Sequence, residues 1–208
     1  MAKKPQKTWI LILAGTIALI LAGGWVVLQP YVTPLYWVVR TAALLGYLCV
    51  FTTALSSPYM KQLVRFFGRP FVKTHHIVAV TGLVLITVHP LAAAFNLRSP
   101  GVFVPRFTSW IVFLQWGGPV AFYLIGIAAL AALLGFTLKQ KWLRQYWRIV
   151  HMLNYVAFFL ATAHAILLGS DFRFLAMKAA AIIMALVLAG TFVQKRLQRR
   201  PRAKKSSR

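Results

Sequence analysis

The chemistry available to this chain rests on five histidines. His75, His76 and His89 lie in "KTHHIVAVTGLVLITVHPLAAAF", Lys73 to Phe95, and His151 and His164 in "WRIVHMLNYVAFFLATAHAILL", Trp147 to Leu168. Both stretches otherwise read as membrane-spanning helices. An imidazole in hydrocarbon is costly unless something satisfies its ring nitrogens. Neutral imidazole is a good ligand for iron, and ligation removes that cost.

Spacing pairs the histidines. His75 and His89 are 14 residues apart, which on a helix leaves them within about 40° of one face and about 21 Å apart along the axis. His76 is 13 residues from His89, a rotation that separates them by about 140° in a straight helix. His75 is therefore the better partner for His89, and His76 the bystander. His151 and His164 are also 13 apart, so that segment needs local rewinding, a kink, or ligation from a skewed angle. Pro90 follows His89, has no N–H to donate, frees the Ile86 carbonyl and is expected to bend the helix.

These residues need helices to position them. Sixty per cent of the 208 residues are hydrophobic, and runs of about 20 apolar residues match a bilayer core of about 30 Å. Six such runs are read: Trp9–Leu28, Leu35–Leu55, Val72–Ala94, Trp116–Leu138, Ile149–Leu168 and Phe174–Phe192. Helices satisfy their own backbone in lipid, and the runs lack the alternation of a membrane barrel. The expected fold is all-α, a polytopic membrane protein with six transmembrane helices in one bundle. Residues 1–8 form a basic N-terminus, 9–193 the heme-binding transmembrane domain, and 194–208 a basic tail. The opening apolar run exceeds a signal-peptide core and is read as the first span.

Charge orients the bundle. Of 24 Lys and Arg residues, 19 fall on one side: three before the first span, four in the second connection, four in the fourth and eight in the tail. The positive-inside rule puts that side, with both termini, in the cytoplasm of a bacterial inner membrane. Lipid headgroups account for the net charge of +23, and nucleic acid is not an expected partner. The third and fifth spans then run in parallel. His75 and His151 share an inner level, and His89 and His164 an outer one. One imidazole from each helix at two levels suits two stacked bis-histidine hemes.

Missing residues exclude other chemistry. Asp171 is the only carboxylate side chain, so paired-carboxylate hydrolysis and a zinc protease with a glutamate base are ruled out within this chain. No GxGxxG opens a helix after a strand, so the chain has no dinucleotide fold of its own. No catalytic side chain is assigned. Asp171 is expected to cap the sixth helix, and Cys49, the single cysteine, to be a packed membrane thiol. A metal transporter would usually offer acidic or sulfur ligands as well.

"GRPFVKTHH…H" and "WRIVHMLNY…H" together resemble the ferric reductase-like transmembrane domain. That family includes the membrane parts of NADPH oxidases and ferric reductases, and the short bacterial heme-binding subunit of the periplasmic methionine-sulfoxide reductase. The resemblance covers most of the hydrophobic chain, best from Arg40 to Leu168. It implies heme b, two groups expected and one possible, with metal ligands His75, His151, His89 and His164. The oxidases continue into a flavin and NADPH domain where this sequence has a basic tail. The short subunit generally lacks the inner-side histidine present here as His75.

Supporting cations are read two ways. Arg40 either pairs with a heme propionate or snorkels to the outer surface. Arg148, with Lys73 and Arg69, either holds propionates of the inner heme or lies among lipid phosphates. The expected activity is that of a b-type cytochrome, an electron-transfer subunit of an oxidoreductase. Its donor would be a cytoplasmic flavoprotein or quinol, and its acceptor a periplasmic reductase or a ferric complex. The alternatives are a one-heme subunit using His89 and His164, and a heme-free transporter or assembly factor whose histidines bridge helices.

Overall fold

Long apolar runs with few breakers can close every backbone hydrogen bond only as helices, and they do. A computed structural model describes residues 24–25, 33–68, 70–137, 146 and 149–198. Among them the bounded helices are α1 (Pro34–Ser56), α2 (Met60–Phe67), α3 (Pro70–Leu97), α4 (Trp110–Gln115), α5 (Gly117–Thr137), α6 (Leu153–Leu168) and α7 (Leu175–Gln198). Short 3₁₀ turns lie at Ser57–Tyr59, Pro100–Phe103 and Ser170–Arg173, and no strand occurs among the described residues.

Five helical stretches there are long and apolar enough to cross a membrane: Pro34–Phe67, Pro70–Leu97, Gly117–Leu134, Ile149–Leu168 and Leu175–Gln198. They match the last five runs read from the sequence. The first, Trp9–Leu28, lies outside the described residues except for Gly24 and Trp25, which are helical. Arg69, Arg148 and the tail beyond Gln198 also lie outside them. The last helix runs to Gln198, several residues into the expected tail.

Local signals set the ends. The Thr33 hydroxyl accepts from the Tyr36 N–H at 3.2 Å, and Pro34 occupies the first turn of α1, where its missing N–H costs nothing. α2, "MKQLVRFF", falls in what the sequence suggested was only a basic connection. Its Lys61 and Arg65 are exposed, while Leu63 and Val64 are half-buried. Helix α3 continues through Pro90.

Packing is uneven, and that creates the site. α3 packs chiefly on α1, and α6 chiefly on α5. Small residues permit the first contact: a Cβ on Gly82 would stand 2.8 Å from Cys49 Cβ, and one on Gly46 2.9 Å from Ile86 Cγ2. Among the described residues the backbones of α3 and α6, the two histidine helices, have no comparable interface. Their side chains meet midway, where Leu83 and Ile86 of α3 and Leu160 and Ala161 of α6 surround Ala121, Ile125 and Ala157. A second cluster places Phe158 and Leu188 in full burial beside Tyr47, whose ring stacks on Phe158 at 4.8 Å.

Candidate cofactor site

His89 and His164 face a common cavity of about 340 Å³, within the size range of ligand pockets. Its walls are mainly apolar, with Val39, Leu44, Ile86, Ala121, Phe122 and Phe158 among them. The two histidines approach from α3 and α6, the helices whose backbones stand apart. His89 lies within electrostatic reach of His164.

Each ring is anchored by the same nitrogen. His89 Nδ1 lies 3.0 Å from the Val39 carbonyl oxygen of α1. His164 Nδ1 lies 2.6 Å from the Gln115 carbonyl oxygen at the end of α4. A carbonyl can only accept, so both Nδ1 atoms carry the proton and both Nε2 atoms carry the lone pair. A histidine that ligates a metal through Nε2 is held in this way, by a hydrogen bond from its other nitrogen. The Gln115 carbonyl is available because the residue four places on is Pro119, which has no N–H.

Gly118 completes the seat of His164. A Cβ there would lie 3.0 Å from Cε1, 3.0 Å from Nε2 and 3.1 Å from Cδ2. Near-equal distances to three ring atoms put that position over the imidazole face rather than beyond its tip. Glycine is thus the residue that lets α5 lie against the ring.

Arg40 and Asp171 form a buried ion pair in the wall of the same cavity. The guanidinium engages the carboxylate twice: Nη2 donates to Oδ1, and Nε donates to Oδ2 at 3.1 Å. Trp25 Nε1 also donates to Oδ1, at 2.7 Å. Asp171 therefore does not cap the last helix. It sits within the Ser170–Arg173 turn, ahead of α7, where the only acid in the chain answers a cation inside the bundle. Arg40, 6% exposed, does not snorkel. Tyr36 Oη and Ser170 Oγ, 3.0 Å apart, stand at the same end. Every buried side-chain nitrogen and oxygen among the described residues has a partner.

The second level is less uniform. His75 Nδ1 lies 3.0 Å from Ser56 Oγ, while Ser56 gives its one proton to the Thr53 carbonyl at 3.1 Å. The hydroxyl must then accept from His75, leaving the Nε2 lone pair free of that contact. His151 Nδ1 lies 3.3 Å from Asn154 Nδ2 and 3.5 Å from the Ala128 carbonyl oxygen. An amide donor and a carbonyl make opposite demands on that nitrogen, so these neighbours do not fix one tautomer. His75 is within electrostatic reach of His151 and of His76, whose ring centroid is 5.9 Å from its own. Neither His75 nor His151 lines the cavity of His89 and His164.

At the start of α6, Met152 N donates to Ile149 O at 3.1 Å and Tyr155 N to Met152 O at 3.0 Å, both spanning three residues rather than four.

The sequence reading had singled out all four ligand candidates and Arg40. It missed Gly118, the two backbone anchors and the Arg40–Asp171 pair. Pro119 was the available signal for one anchor, and a lone acid facing a lone intramembrane arginine was the signal for the pair. Among the described residues no group of three or more His, Cys, Asp or Glu side chains could hold a bare metal ion. The chain matches no family model, no curated protein and no solved structure in comparisons of its sequence and fold.

Proposed function

We propose that the chain is a membrane b-type cytochrome whose His89 and His164 hold a heme between α3 and α6. One observation carries this reading. Two imidazoles on helices with separated backbones share one apolar cavity, each with Nδ1 tied to a carbonyl and Nε2 left as a ligand. Heme iron in such a site would supply one-electron chemistry, at a potential set by its surroundings.

The protein's own residues do the rest. His89 and His164 would hold the iron through their Nε2 atoms. The apolar walls exclude water. Arg40 and Asp171 set a charge-balanced ion pair in the wall. His75 and His151 would hold a second heme toward the basic side, which we take to be cytoplasmic. Electrons would enter there from a flavoprotein or from quinol, and leave beside His89 and His164 to a periplasmic reductase or a ferric complex. On this proposal the chain would act as the ferric reductase-like transmembrane domain does, in the bacterial inner membrane.

A one-heme subunit is the second reading. It is favoured by the cavity, which contains only one of the two histidine pairs. Absorption spectra of detergent-purified protein, before and after dithionite, test both. A b-type α-band with about two hemes per chain in the pyridine hemochrome is the expected result. One heme per chain in the wild type, unchanged in His75→Ala, establishes the second reading, and a colourless protein expressed with ample heme refutes both.

A further inference from the structure

We propose that Asp171 is a positioning residue that sets the redox potential of the His89–His164 site by holding Arg40 as a neutral pair. The inference rests on the heme reading above and deepens it. Asp171 is the only carboxylate side chain in a protein with 24 lysines and arginines. It is 5% exposed, and three donors hold it: two nitrogens of Arg40 and the indole N–H of Trp25.

The pair is built into the site on both sides. Arg40 directly follows Val39, whose carbonyl anchors His89. Asp171 follows His164 by seven residues, across a turn in which Gly169 N donates to Ala165 O at 2.8 Å. Both residues line the cavity with the two histidines. A charge in a wall of low dielectric acts strongly on a change of charge within it. Reduction adds one electron to the iron, so an uncompensated cation favours the reduced form and an uncompensated anion the oxidised form. The pair as it stands nearly cancels.

Opposite signs make this testable. Redox potentiometry on the purified holoprotein, with heme content and melting temperature measured in parallel, would compare four variants with the wild type. Asp171→Asn leaves Arg40 unbalanced and is expected to raise the potential of the His89–His164 heme. Arg40→Gln leaves Asp171 unbalanced and is expected to lower it. The double variant Arg40→Gln/Asp171→Asn, and Asp171→Glu, which keeps the charge, are both expected near the wild-type value.

A purely structural role makes both single variants shift the same way, through loosened packing and admitted water. That result overturns the inference and leaves the heme reading intact. If the single variants do not accumulate, Arg40→Lys/Asp171→Asn, which keeps the cation without its counter-charge, decides. A raised potential there upholds the proposal, and a wild-type or lowered one overturns it. A wild-type protein without heme removes the reading beneath it, and the proposal with it.

Discussion

Replacing Gly118 with alanine should dislodge His164 without unfolding the bundle. The new Cβ would lie 3.0–3.1 Å from three ring atoms. Ordinary carbon contacts fall at about 3.5–4.0 Å, so the ring must retreat by about 0.5–1 Å. Gly118 cannot yield freely, because α5 packs closely on α6: a Cβ on the adjacent Gly117 would lie 3.0 Å from the Leu160 carbonyl oxygen. A shift of that size strains the 2.6 Å bond from His164 Nδ1 to Gln115. A hydrogen bond of this kind contributes about 0.5–1.5 kcal/mol, and losing a ligand's orienting partner weakens binding by roughly 10–100-fold. Overpacking lowers fold stability by about 1–3 kcal/mol. Gly126→Ala is the internal control, since it lies on the same helix with nothing within 4 Å of its added Cβ. Heme loss to an excess of a heme-scavenging protein, followed by absorbance, measures both variants. Gly118→Ala should lose heme at least about tenfold faster, and Gly126→Ala at the wild-type rate. Equal rates in all three proteins refute the role given to the ring's seat.

The other expectations are simpler. His89→Ala and His164→Ala should each remove one heme per chain by pyridine hemochrome, with helix content by circular dichroism unchanged. His75→Ala should remove the second heme and leave the α-band of the first. Gly82→Ala, whose Cβ would meet Cys49 at 2.8 Å, should lower the detergent melting stability of the α1–α3 contact by about 1–3 kcal/mol.

Much of the fold was legible because hydrocarbon imposes a simple rule on any backbone that crosses it. Runs of apolar residues match the five described spans, two of which run on past the expected end, to Phe67 and to Gln198. Of the four histidines expected as ligands, His89 and His164 line one cavity, which His75 and His151 do not. Three features were not visible for physical reasons. Helix α2 is amphipathic, too short to span and flanked by basic residues, so it looked like a connection. The Arg40–Asp171 pair joins residues 131 positions apart, and a capping role for the acid was the local alternative. Gly118 carried no signal beyond lying in "GGP", because what makes it necessary is a ring on another helix.

Axial ligation tests the central claim most directly. Low-temperature electron paramagnetic resonance of the oxidised, purified protein distinguishes low-spin bis-histidine iron from high-spin iron with an open position. The expected result is a low-spin ferric signal from which the part due to the His89–His164 heme disappears, or turns high-spin, in His89→Ala and His164→Ala. A low-spin signal unaltered in both variants, or no heme signal in the wild type, contradicts the account.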